Sequence, residues 1–272
     1  MMKNSITKSQ KNFILWKELV KTDFKLRYQG SVLGILWSVL RPLMLFAVMY
    51  VVFVEFLRFT DGTPTFPVVL LLGITLWGFF AEATGLGMNA IVGRGDLLRK
   101  INFPKYIVIL SAATSSLIGL TINICVVLIF AVLSGVQFTW LVLLVPLGIL
   151  QLMVLALGFS FILSTLYVKF RDVSHIWEVI AQVLFYAIPI IYPMIMVIER
   201  SAVAAQVMLL NPIAQTIQDI RHNLIAPETT VTTWNYVESL HLAIIPLVLT
   251  VAIFITGIVI FNKNSKKFAE IL

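Results

Sequence analysis

The chain has 272 residues, 60% hydrophobic and only 12% charged, against about 25% charged in an ordinary soluble domain; a mean hydropathy of +0.98 excludes a soluble enzyme. Lys and Arg number 20 and Asp and Glu 13, a net charge of +7, and in so apolar a chain that excess belongs to cytoplasmic loops rather than to a nucleic-acid surface. One cysteine, Cys125, excludes a disulfide framework or a Cys-based zinc cluster, and His175, His222 and His241 are too scattered for a metal site, so neither metal nor cofactor is expected.

The first 31 residues lack a compact apolar core with a small-residue cleavage site, so no cleaved signal peptide is expected. Within 8–30, Phe13, Trp16, Val20 and Phe24 share one side of a 3.6-residue helix, and Lys17, Lys21 and Lys25 line another. That pattern predicts an amphipathic helix lying on the anionic cytoplasmic leaflet. Six stretches then reach the roughly 20 apolar residues needed to cross a bilayer: 33–57, 66–90, 107–133, 140–168, 176–198 and 242–261. They are too long and continuous for the strands of a membrane barrel. The expected fold is an all-α polytopic membrane protein with six transmembrane helices. It divides into a cytoplasmic N-terminal segment, 1–32, a transmembrane domain, 33–261, and a cytoplasmic tail, 262–272.

Orientation follows from the positive charge. Sixteen Lys and Arg fall on one side: Lys3, Lys8, Lys11, Lys17, Lys21, Lys25 and Arg27 before span one, Arg94, Arg99, Lys100 and Lys105 between spans two and three, Lys169 and Arg171 between four and five, and Lys263, Lys266 and Lys267 at the end. Only Arg58, Arg200 and Arg221 fall on the other, with Arg41 inside span one. The positive-inside rule therefore places both termini in the cytoplasm.

The cytoplasmic loop 92–106 is broken from span two by Gly93 and Gly95 and stopped by Pro104. Between them Leu97, Leu98 and Ile101 give a short apolar face, which predicts a small amphipathic helix. With Arg94, Asp96, Arg99 and Lys100 it is a candidate docking knob for a soluble partner. On the outside, 199–241 is long, and Asn211-Pro212 is a helix start, with Asn as cap and Pro at the first position. Ile213, Ile217, Ile220 and Leu224 follow at helical spacing. Short re-entrant helices at the outer face, between spans five and six, are the expectation.

Three anomalies mark the spans. Arg41, before Pro42, lies about 12 Å into span one, where a charge is costly unless it meets a cavity, a partner or the interface. Glu82 in span two has no opposite charge at helical spacing. Pro189 and Pro193 should kink or break span five, as is tolerated where backbone faces a cavity or protein. Trp37, Phe46, Tyr50 and Phe53 on span one, and Phe185, Tyr186 and Tyr192 on span five, suit a path for sugar rings. Gly30/Gly34 and Ser111/Ser115/Gly119 offer close packing. Six helices barely enclose a large path, so a homodimer is expected. Neither a phosphate-binding loop nor a His-Glu-x-x-His pair occurs, so no catalytic residue is assigned, and ATP would have to be bound by another chain.

Taken in order, Leu26-Arg-Tyr-Gln-Gly-Ser-Val-Leu-Gly-Ile-Leu-Trp37, Arg41-Pro42, Asn102-Phe-Pro-Lys105, Phe170-Arg-Asp172, Pro189-Ile-Ile-Tyr-Pro193 and Asn211-Pro212 with Arg221 resemble the permeases of ABC exporters for cell-surface polysaccharides and polyol phosphates. The Gln29-Gly30-Ser31 form is similar to that of Gram-positive rhamnose-polysaccharide exporters. The resemblance covers essentially the whole chain. It implies a multi-pass protein of the bacterial cytoplasmic membrane, pairing as a homodimer with two copies of an ATP-binding subunit. The cargo it implies is a lipid-linked glycan such as O-antigen, capsule, teichoic acid or a rhamnose-rich wall polymer. It also implies that the N-terminal helix and loop 93–106 meet the ATPase, and that 199–241, with Asn211, Pro212 and Arg221, forms an outer gate. Two other classes compete. A secondary transporter should show internal repeats and coupling carboxylates, and a membrane-embedded glycosyltransferase should show clustered acids at one face.

Overall fold

A computed structural model describes residues 7–28, 30–34, 36–101, 103–237 and 239–271; Lys3, Gln29 and Asn102 lie outside the described residues. Among the described residues every regular element is helical. Helix α1 is Lys8–Tyr28, and α2, Leu36–Met49, continues through a π-helical stretch, Tyr50–Phe56, as span one. Spans two and three are α3, Phe66–Ala90, and α5, Tyr106–Leu133, joined through the short α4, Gly95–Lys100. Span four runs Trp140–Lys169, a 3₁₀ entry followed by α6, Val145–Lys169. The last long span is Leu240–Ser265, made of α12, Leu240–Ala243, and α13, Ile245–Ser265.

Among the described residues, five helices are thus long and apolar enough to cross a membrane. The stretch 176–198 is not one helix. It is α7, Val173–Ala187, a non-helical Ile188–Pro193, and α8, Met194–Arg200. The prolines are the cause: neither has an N–H, so neither can continue the ladder of backbone bonds. Then come α9, Ala202–Leu209, α10, Pro212–Leu224, and α11, Thr233–Tyr236; the chain ends in α14, Phe268–Ile271.

Helix α3 is the centre of the bundle, packed along α5 and α6 and buried from Phe66 to Trp77 except for Pro67. Ser111, Ser115 and Gly119 are buried on α5, as small residues at a helix crossing should be. Helices α6 and α13 touch backbone to backbone, since a Cβ on Gly257 would lie 2.5 Å from the carbonyl oxygen of Gly158. Gly30 and Gly34 do something other than pack. Both have positive φ (77° and 50°) with nothing within 4 Å of a would-be Cβ, so they turn the chain from α1 into span one.

Helix α1 docks on α5 through Leu15, Trp16 and Leu19, which join a cluster with Leu98, Phe261 and Phe268. Its expected apolar side is therefore rotated. Val20 and Phe24 are half-buried, whereas Phe13 is 59% exposed. Helix α1, the 92–101 loop and the C-terminal tail meet at one end of the bundle, and α8–α11 gather at the other. No described side chain of α2 is buried.

Candidate functional site

Along span one, Trp37 and Arg41 are exposed, while Phe46, Tyr50 and Phe53 are half-buried. Phe46 stacks against Tyr50 at 5.9 Å and Phe130 of α5 at 6.5 Å, and Phe53 meets Phe59 at 5.7 Å. On the broken segment, Phe185 is buried 5.9 Å from Trp77, in a cluster with Phe80, Phe159 and Trp177. The Trp177 indole donates to Thr84 Oγ1 at 3.2 Å. Phe185 is thus a packing residue, and Tyr186 keeps an open face. Among the described residues no ring contact joins the span-one aromatics to those of 185–192. Glu82 finds company on the next span: the Ser116 hydroxyl donates to Glu82 Oε1 at 3.2 Å.

The proline break is held by Arg221. A helix interrupted at Pro193 leaves the carbonyl of Pro189 without its usual donor four residues on. Arg221 of α10, 3% exposed, reaches it: Nη1 donates to Pro189 O at 2.6 Å and Nη2 to Ile190 O at 2.6 Å. Nε donates to Val69 O of α3 at 3.1 Å, and Nη1 also to Gln218 Oε1 at 3.2 Å. Burial pushes the guanidinium down to about 9, which still leaves it cationic at neutral pH. Space for it comes from Gly73, where a Cβ would sit 1.9 Å from Nη2. The Tyr192 hydroxyl satisfies a second freed carbonyl, that of Tyr186, at 3.1 Å. Asn211 caps α10, accepting from the Ile213 N–H at 2.9 Å, with Pro212 in the first turn. Sequence reasoning grouped Arg221 with Asn211 and Pro212 at the outer face. Its tie to the proline break was signalled only by one lone cation and two prolines.

At the opposite end, α4 turns Asp96, Arg99 and Lys100 outward, with Ile101 52% exposed just after it. Leu98 is buried and Leu97 half-buried in the chain's own cluster, so of that apolar face Ile101 alone stays exposed. Arg94 is committed as well. Its Nη2 pairs with Asp23 of α1, and its Nη1 donates to Ser111 Oγ of α5 at 3.3 Å. Burial pushes the Arg94 guanidinium below its ordinary value. Lys105 donates to the Ser265 carbonyl and lies over the ring of Phe268, 5.7 Å from its centroid. Asp23 and Phe268 escaped sequence reasoning, because each is unremarkable until distant segments meet.

The helical bundle, its proline break and the basic α4 do not by themselves name a function; comparison with known proteins decides the family. The family model described as "ABC-2 type transporter" matches residues 14–225, from α1 through the Arg221 helix. The chain belongs to that family. Among curated relatives it is 32% identical over 194 residues (71% of this chain, 74% of the relative) to the O-antigen export system permease protein RfbA of Myxococcus xanthus. It is 29% identical over 262 residues (96% and 95%) to the protein of the same name from Klebsiella pneumoniae. As an ABC-2 type transporter chain it has the long apolar helices that a membrane permease requires.

Proposed function

We propose that this chain is the transmembrane subunit of an ATP-driven exporter that carries a lipid-linked polysaccharide out of the bacterial cytoplasm. The observation that carries this reading is the match over nearly the whole chain to permeases named for O-antigen export. Two copies pair with two copies of an ATP-binding subunit that performs the hydrolysis. Both termini face the cytoplasm, and the broken pair α7–α8 serves as the sixth crossing. The charge asymmetry supports that topology, as does the meeting of α1, the 92–101 loop and the tail at one end. Span one, with no buried side chain, supports a second copy across Trp37, Arg41, Phe46, Tyr50 and Phe53. The glycan path then runs between copies, lined by these residues with Tyr186 and Tyr192, and α8–α11 form its outer gate. Asp96, Arg99 and Lys100 present the contact for the ATPase.

Deleting the gene in the source bacterium tests the reading. Surface polysaccharide should disappear while lipid-linked polymer accumulates inside, and a plasmid copy should reverse both. Unchanged surface polymer would remove the chain from export.

A further inference from the structure

The Asp23–Arg94 pair joins residues 71 apart in sequence at the boundary between α1, the 92–94 turn and α5. The carboxylate uses both oxygens: Oδ1 takes the guanidinium, and Oδ2 accepts from Ser111 Oγ at 3.2 Å. The two side chains are only 17% and 19% exposed, and Ser111 is fully buried. A charge pair this sheltered is screened only weakly by salt. The apolar cluster beneath it ties the same segments: Leu19 of α1, Leu98 of α4 and Phe268 of the tail.

Helix α1 ends at Tyr28, and the glycine turn at Gly30 and Gly34 leads directly into span one. Span one is the loosest long helix, with no described side chain buried. A displacement of α4 therefore has a short mechanical route: α4, the Arg94–Asp23 pair, α1, the glycine turn, span one. The structure assigns Asp23 and Arg94 as positioning residues that make the 92–101 loop and α1 one body, so that movement imposed on α4 is delivered to span one. Arg94 then acts inside the chain instead of touching the partner, and Arg99 and Lys100 carry the contact. The inference rests on the proposal that an ATPase docks on α4.

The test uses the full chain co-expressed with its phosphate-loop ATPase subunit, in inside-out membrane vesicles. Three quantities are read: co-purification, ATP hydrolysis, and glycan exported per ATP. Asp23→Asn keeps the shape and an acceptor but removes the charge. It should leave co-purification and hydrolysis near wild type while export per ATP falls by about tenfold or more. Arg94→Gln should behave alike, and the exchange Asp23→Arg/Arg94→Asp should recover most of the loss. The conservative Asp23→Glu should stay within about threefold of wild type. A purely structural pair would show up differently, as less assembled complex that exports at the wild-type ratio. That outcome, or normal export per ATP in Asp23→Asn, overturns the assignment. If the unaltered chain binds no ATPase at all, the underlying proposal fails instead.

Discussion

Arg221 shows how one buried cation supports a break that helix geometry alone forbids. Three backbone carbonyls, from Val69, Pro189 and Ile190, converge on its guanidinium. Arg221→Met would leave the Pro189 and Ile190 carbonyls dry, and each buried acceptor left unsatisfied costs about 1–3 kcal/mol, so about 3 kcal/mol is expected for the two. The thermal midpoint of the detergent-solubilised chain should therefore fall by at least about 6 °C. Gly73→Ala should be similarly harmful, because the added methyl meets a guanidinium that three carbonyls hold in place. A midpoint within about 2 °C of wild type for either variant would contradict the clamp. Arg41 makes the opposite prediction. It is exposed on span one, so Arg41→Ala should leave the midpoint unchanged. If Arg41 meets the pyrophosphate of the glycan carrier, Ala should stop export and Lys should retain part of it, since Lys keeps the charge but loses the two-pronged grip. Full export by Arg41→Ala would refute the role.

Among the elements, α4 separates two kinds of substitution. Arg99→Glu/Lys100→Glu changes only outward-facing charge and should abolish co-purification of the ATPase without lowering chain abundance in the membrane. Leu98→Asp buries an unpaired carboxylate among Leu19, Phe261 and Phe268, and should reduce abundance itself. Quantitative blotting beside the pull-down distinguishes them, and equal effects on both readouts would contradict the burial pattern. The long helices were legible in the sequence because apolar length is a local property: spans two to four begin and end within a few residues of their expected bounds. The proline break was legible for the same reason. What closes it was not, since Arg221 lies 28 residues beyond Pro193 and nothing local fixes their meeting. The apolar side expected of helix α1 from its period is not the side that is buried, which is set by α5 and by Asp23 pairing with Arg94, both tertiary facts. Gly30 and Gly34 carry the spacing of a packing motif, but positive φ and empty surroundings make them a turn.

For the whole molecule, single cysteines report the topology once the native Cys125 is replaced by Ser. Cysteines at positions 96 and 266 should resist a membrane-impermeant maleimide in intact cells, and one at position 228 should react; all three sites are exposed. Labelling at 96 would invert the topology. The proposed second copy would cover span one, which has no buried described side chain. A cysteine at Val48, 60% exposed, should therefore crosslink chain to chain across the pair, and its failure to do so would move the interface elsewhere. The central claim is ATP-driven movement of a lipid-linked glycan through this chain. Its most direct measurement is uptake of radiolabelled lipid-linked polymer into the lumen of inside-out vesicles containing the chain and its ATPase. Uptake should require ATP and vanish when the phosphate-loop lysine of the ATPase is replaced. Uptake that persists without ATP, or that a proton gradient alone sustains, would contradict the account.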